Sequence, residues 1–455
     1  MLFLLAFVVQ SNLSLARLPL LVVLCLLEIV PASELAVQVV NFLVMLALYP
    51  HPLPRLAFAD GVPEEWRTLT VVPTLLASPE SIQEDLDRLE IRFLANRDAN
   101  LRFALLADLV DAPEPEMPED SALVAAAVQG INLLNCRYPE RQFTLFCRPR
   151  RWSETERCWM GWERKRGKLE ELNAWLLDKD GPSPETLRPI AGDPSQLHGV
   201  RLVITLDADT QLPHGTARRL IGTLAHPLNR PRLAADGRRV VGGYTIIQPQ
   251  VSPSLPSATA TRFARVFADS VGVDPYSHAV SDLYQDLAGE GSYYGKGIYD
   301  VETLHQVLGD RFPTATLLSH DLLEGAYVRV GMATDIELYD TFPSSYVADI
   351  GRRHRWIRGD WQIIAWLGAI VPLPGGSRES NPIGILNRWK ILDNLRRSLV
   401  PATSIGLLLS GWLLFPDSAE LWSILIGLTL LLPATLRLAT WMPGQSPEVL
   451  VLRAE

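Results

Sequence analysis

Two aspartates one residue apart close the stretch RLVITLDADTQLP, Arg201–Pro213. Mostly apolar residues run straight into Asp207 and Asp209, the pattern of a buried strand that ends in acids. If the strand continued through them, both side chains would project to one face, because strand side chains alternate. Two carboxylates so placed are hard oxygen ligands that suit Mg2+ or Mn2+. Such an ion binds a diphosphate and neutralises its charge as it leaves. The same tripeptide also serves as an ordinary acidic loop.

Other stretches carry comparable chemistry. In TLLSHDLLEGAYVRVG (Thr316–Gly331), Asp321 opens a helix-like run, where a carboxylate is stabilised by the helix N-terminus. An acid there is equally a simple capping residue. In RRHRWIRGDW (Arg352–Trp361), Arg355 and Arg358 could grip phosphate, and Trp356 could stack on a sugar or pack against the domain. A basic membrane-facing helix gives the same composition. WERKRGKLEELN (Trp162–Asn173) sets Lys165, Arg166 and Lys168 beside an exposed-looking glycine, and by itself is a charged helix start. A strand ending in DxD also occurs in haloacid-dehalogenase-type phosphatases. Those place Thr or Val four residues after the first Asp, whereas Gln211 stands there and Thr210 comes one residue early.

Composition narrows the field. The net charge of −9 argues against a nucleic-acid binder, which would carry a basic face. Cys25, Cys136, Cys147 and Cys158 form no CxxC pair, and the histidines show no HExxH spacing. An apolar content of 48% leaves room for a membrane part.

The elements that must position these residues lie between about Thr68 and Ser380. LTVVPTLL (Leu69–Leu76) reads as a buried parallel strand. A helix capped by Ser78 follows, then the strand RFALLADLVD, which ends at Asp108 and Asp111. An acidic, Pro-rich surface loop (Ala112–Ser121), a helix (Ala122–Asn135) and the strand RQFTLFCRP come next. A polar connection (Asp178–Gln196) leads to the strand before Asp207, a helix (Ala217–Leu224) and the strand RRVVGGYTIIQPQV. This alternation predicts a doubly wound α/β sheet with ligands at the carboxyl ends of its strands.

Apolar segments flank that domain. MLFLLAFVVQ is too short to span a bilayer, which takes about 20 residues, and reads as the remnant of a helix whose start is missing. Leu18–Ala32 and Leu35–Pro50 read as a helical pair turning at Glu34. Leu399–Pro416 and Leu421–Leu438 form a second pair. Buried core helices are the other reading. Positive residues mark the cytoplasmic side. Arg17 and Arg55 at the front, and the basic Asn387–Ser398 with Arg437 at the back, both put the middle of the chain in the cytoplasm. Ile385, Trp389, Leu392, Leu395 and Leu399 recur at helical spacing among Arg and Lys, which suits either a helix on the membrane surface or a core-packed one.

Taken in order, these motifs resemble those of the processive, inverting family 2-type glycosyltransferases with the GT-A fold. VITLDADTQLP…AHPLNRP, DPYSHAVSDLYQDLAGEGSYYGKGIYDV, LLSHDLLEG and RHRWIRGDWQ look most like the transferase segment of cyclic β-1,2-glucan synthases, and the resemblance runs from about Leu18 to Trp441. It implies N-terminal membrane helices over 1–50, a GT-A domain over 51–383, an interfacial helix over 384–398 and C-terminal membrane helices over 399–441, in an inner membrane with the catalytic domain in the cytoplasm. It implies UDP-glucose as donor, Mg2+ or Mn2+ as cofactor, and a growing β-1,2-glucan as acceptor. Residue by residue, it implies uridine contact for Asp108 or Asp111, donor phosphates for Lys168, the metal for Asp209 with Asp207, and the general base for Asp321. Arg355 would face the diphosphate and Trp356 the acceptor sugar.

Departures are visible. His320 stands where the polysaccharide synthases have Glu, and Arg352 where they have Gln. Both changes point to the cyclic-glucan branch. The family's full proteins continue into further helices and a phosphorylase-like domain that sets ring size, so this chain reads as a fragment or truncated relative. The alternatives are a synthase of another linear β-glucan or polysaccharide, with the same residues, and a catalytically inactive membrane scaffold, against which the full set of acids weighs.

Overall fold

The computed structural model of the chain describes residues 18–48, 50–140, 142–177, 186–268, 277–278, 281–309, 311–314, 316–317 and 321–440. The opening apolar decapeptide, Arg17, the front of the polar connection, His320 and Trp441 lie outside the described residues. The chain divides into two compact units, Pro50–Gly384 and Met1–Tyr49 with Ile385–Glu455.

The larger unit is built on one eight-stranded sheet. Its strands are β1 (Thr68–Leu76), β2 (Leu101–Leu109), β3 (Phe143–Cys147), β4 (Arg188–Ala191), β5 (Leu202–Thr205), β6 (Ile246–Pro253), β7 (Gly297–Asp300) and β8 (Val330–Asp340). The order across the sheet is β8-β6-β7-β5-β1-β2-β3-β4. β5, β1, β2 and β3 are mutually parallel, as are β6 and β8. β7 runs against both β5 and β6, and β4 against β3. The α/β class and the mostly parallel sheet are those implied by the sequence, and they are consistent with a glycosyltransferase domain.

The strands form where apolar side chains fall on both faces. Leu69, Val71, Phe103, Leu105, Leu106, Phe143, Leu145, Leu202 and Ile204 are fully or almost fully buried. Helices cover the sheet. They include α1 (Pro79–Ala95), α2 (Asp120–Arg137), α3 (Arg164–Leu177), α4 (Thr216–Ala225), α5 (Val301–Leu308), α6 (Asp321–Val328) and α7 (Tyr346–Gln362). Ser78 caps α1 as read from the sequence, in a capping box with Ser81. Burial sets the register of α1: Ile82, Leu86, Leu89 and Phe93 recur at helical spacing and all face the core.

The smaller unit corrects the sequence at its front. Residues 18–47 form one uninterrupted helix through Pro31, not a pair turning at Glu34. Thirty residues at 1.5 Å each reach about 45 Å, against a hydrocarbon core of about 30 Å. The front-end argument for orientation, which counted two crossings, therefore lapses. Ile385–Leu414 is likewise one helix, with no break between the interfacial segment and the apolar one. A short turn then leads to the helix Ala419–Thr440. Among the described residues of this unit, two helices are long and apolar enough to cross a membrane, Val22–Val44 and Ile385–Leu414. Within the unit, Leu24, Leu407, Trp422 and Ile426 pack together, and Arg396 pairs with Glu34 at 2.7 Å.

Candidate active site

The sheet collects the acids at one edge. β2, β5, β6 and β8 end there, while the reversed strand β7 begins there. The ends of β2, β5 and β8 therefore lie on the same side of the sheet as the residue that enters β7. The residues concerned are Asp108 in β2, Asp207 and Asp209 after β5, Asp340 at the end of β8, and Lys296 just before β7.

Asp207 and Asp209 do not continue the strand. β5 stops at Thr205, and the acids lie in a turn. The same-face argument made for an extended strand thus does not apply. The turn is fixed instead by Arg92 of α1, whose buried guanidinium donates to the carbonyls of Ala208 at 2.7 Å and Thr210 at 2.7 and 3.0 Å. Burial pushes this guanidinium down to about 10. The Thr210 hydroxyl accepts from the Asp207 amide and donates to Asp340 Oδ1 at 2.7 Å.

The carboxylates differ in their surroundings. Asp207 Oδ1 lies 2.5 Å from Lys165 Nζ, and its Oδ2 lies 2.9 Å from Lys296 Nζ. Desolvation works against its ionisation, but the two ammonium groups outweigh it and hold the carboxyl well below the usual range. Asp209 makes no ion pair among the described residues. Burial, and then Asp340 beside it, push its carboxyl up. Lys296 also pairs with Asp340, and these acids hold its ammonium above the ordinary lysine range despite burial.

Asp321 opens α6 as expected and belongs to the same cluster. Burial pushes its carboxyl up, Lys165 and Lys296 pull it down, and Asp207 raises it again. Gly295 fits beside it: a Cβ there would stand 2.7 Å from Asp321 Oδ2, and Gly295 has φ +80°. One turn later on α6, burial and then Asp321 push Glu324 up to about 8. Lys165 bridges the cluster by donating to Asp207 and to the Gly295 carbonyl at 2.7 Å.

Lys168 is placed differently from the expectation. It is 3% exposed, lies 3.1 Å from Asp108 and donates to the carbonyls of Thr74 and Leu106 at 2.8 and 3.1 Å. Its protons are thus spent inside the fold, and the lysine of this helix that reaches the DxD turn is Lys165. Burial outweighs Asp108 and pushes Lys168 down to about 8. The glycine between these residues is buried rather than exposed, pressed against Trp162. Asp108 is closed off as well, held by Arg148 at 2.6 and 3.1 Å and packed against Gly161. Asp111, the other strand-end acid, is exposed and pairs with Arg164 at 2.9 Å.

Arg355 and Trp356 lie on the exposed face of α7. Arg355 makes no ion pair or hydrogen bond among the described residues, and the structure does not join it to the acid cluster. Arg352 stacks over Trp356 with its guanidinium carbon 4.8 Å from the ring centroid and pairs with Asp349.

Lys296, Asp340, Arg92 and Thr210 were missed by the sequence reading. Lys296 had a visible signal, a lysine between two glycines in SYYGKGIYDV. The others gave none, because their roles depend on the order of strands across the sheet.

The donor set fits a hard divalent ion. Asp340 raises the Asp209 carboxyl, a repulsion that Lys296 eases in part and that a divalent cation would relieve further. Among the described residues no group of three His, Cys, Asp or Glu is arranged to hold an ion by itself.

No family model matches the chain. Over 422 residues it is 40% identical to the cyclic beta-(1,2)-glucan synthase NdvB of Rhizobium meliloti (strain 1021). The alignment takes in 91% of this chain, and the chain spans 14% of the length of that relative. The likeness that the motifs carry thus extends through nearly the whole chain, with the acid cluster inside it.

Proposed function

We propose that the chain is a membrane-attached glucosyltransferase that moves glucose from UDP-glucose, with inversion, onto a growing β-1,2-glucan. The observation that carries this reading is the meeting of the DxD turn, the half-buried Asp321 and Lys165 at the strand ends of the sheet. The similarity to a cyclic glucan synthase supplies the substrate class.

Asp321 is the general base. It takes the proton of an acceptor hydroxyl, and that oxygen attacks the anomeric carbon from the face opposite the diphosphate, turning α into β. Lys165 lies where the leaving diphosphate gathers charge, and stabilising that charge lowers the barrier. Asp209, with Asp207, would hold Mg2+ or Mn2+, which supplies Lewis-acid stabilisation of the diphosphate when bound. Asp111 is the strand-end carboxylate open to uracil or ribose, while Asp108, Arg148 and Lys168 build the floor beneath it. Arg355 and Trp356 serve the diphosphate and the acceptor sugar if α7 closes on the occupied site.

The experiment is to incubate membranes carrying the chain with labelled UDP-glucose and Mg2+, then determine linkage and test for a free reducing end. Incorporation in β-1,2 linkage is expected. No incorporation from any nucleotide sugar would overturn the reading in favour of an inactive scaffold, and a different linkage would reassign the product.

A further inference from the structure

We propose that Lys296 is a built-in counter-cation of the acid cluster, so that divalent metal and sugar nucleotide enter together rather than metal first. This rests on the glycosyltransferase reading.

The geometry places Lys296 where an ion would otherwise serve. Its Nζ bridges Asp207 Oδ2, at 2.9 Å, and Asp340 Oδ2. It is only 10% exposed, so its charge is stabilised by these acids rather than by water. The backbone around it is shaped for this position. Gly295 has φ +80° and Gly297 φ +140°, conformations that residues with a Cβ rarely adopt. A Cβ on Gly297 would stand 2.4 Å from the Ile247 carbonyl oxygen. Thr210 holds the other oxygen of Asp340 at 2.7 Å, which fixes that acid towards the lysine.

An ammonium bridging two carboxylates repels a divalent ion that approaches the same oxygens, most strongly beside Asp340, whose side chain is 16% exposed against 39% for Asp207. Metal alone therefore gains little. A diphosphate changes the balance, because its oxygens offer Lys296 a second set of acceptors. When the donor arrives, the lysine can leave Asp207 for the phosphate and the ion can take its place beside Asp207 and Asp209. The same side chain that resists the ion in the resting protein then faces the leaving group.

The test reads metal binding, apart from turnover. The purified full chain in detergent is titrated with Mn2+, following free Mn2+ by electron paramagnetic resonance, with and without UDP. The wild type should bind Mn2+ weakly alone and more tightly with UDP. Lys296→Met should bind Mn2+ alone about tenfold tighter or more, and lose most of the UDP enhancement. Lys296→Arg, which keeps the charge, should behave as wild type. Asp209→Ala added to Lys296→Met should remove the tightened binding, which places it at the DxD turn. Should Lys296→Met fail to fold, Lys296→Gln carries the same test. Unchanged or weaker Mn2+ affinity in a folded, charge-free variant overturns the proposal. Absence of glucose transfer by the wild type would sink the transferase reading while leaving the Mn2+ comparison to stand or fall separately.

Discussion

Arg92 stands 2.7 Å from the carbonyl oxygen of Ala208, the residue between the two aspartates, so a buried guanidinium grips the DxD turn from beneath. The turn is a backbone feature held by a side chain 116 positions earlier in the chain. Removing the grip leaves buried carbonyls without partners, at about 1–3 kcal/mol each. Arg92→Met should therefore weaken UDP binding and lower the thermal midpoint. Arg92→Lys should recover part of the midpoint but less of the nucleotide affinity, since one ammonium cannot span the same oxygens. Isothermal titration with UDP and a melting curve check both. Equal loss of stability with full UDP affinity would deny Arg92 a positioning role.

Asp321→Asn keeps the shape of the buried site and removes the base. Transfer should fall by about 10²–10⁴-fold, while UDP binding changes little. The same half-buried carboxyl sets the acid side of the pH profile. Its ionised form is the working one and its pKa is raised by burial, so activity should fall at a pH above the ordinary aspartate range. Glucosyl transfer surviving in Asp321→Asn would remove this residue from the role.

Asp209→Ala should abolish the Mg2+ dependence of UDP binding. The comparison is UDP affinity with Mg2+ and with a chelator. A variant that keeps the wild-type difference would show that the ion is held elsewhere.

Lys165 and Lys168 sit three residues apart and should fail differently. Lys165→Met removes one of the two cations at Asp207 and should cut transfer with little loss of fold. Lys168→Met leaves Asp108 buried with Arg148 and should chiefly lower the thermal midpoint, by a few °C or more. Turnover measured beside melting separates the two. The reverse pattern would restore Lys168 as the phosphate residue.

Glu324 ties stability to pH. Burial pushes its folded pKa up to about 8, above the ordinary glutamate value of 4.5, so the folded state holds its proton where the unfolded chain has lost it. Stability from this group is complete below about 4.5 and is lost as pH rises through about 8. Glu324→Gln should match the wild type in acid and melt higher above pH 8. Parallel melting curves across that window would contradict the shift.

Much of the sheet was legible because β1, β2 and β3 are apolar runs that no other element explains, and Ser78 announces the helix after β1. The acids at strand ends were legible for the same reason: where an apolar run stops, its next polar residue lies at the sheet edge. β7 was not, since four residues ending in an N-cap aspartate have no period of their own. Without β7, neither Lys296 nor its pairing with Asp340 could be seen. Whether the strand ran on through the DxD stayed open in the sequence because the grip of Arg92 is a contact between residues over a hundred positions apart. At the front, Pro31, Ser33 and Glu34 look like a turn in sequence, yet the apolar residues on either side carry one helix through them.

The reversal of β7 has a mechanical consequence. This strand of four residues is the seam between the β5-β1-β2-β3 block and the β6-β8 pair. Local opening costs least where the fewest backbone bonds must break. A brief unzipping of that seam would part Lys296 from Asp207 and Asp340 while the main block stayed intact. Amide exchange at Ile298 and Tyr299 would then run ahead of exchange at Leu105 and Val71, and the charged cluster would come apart as a unit before the domain does.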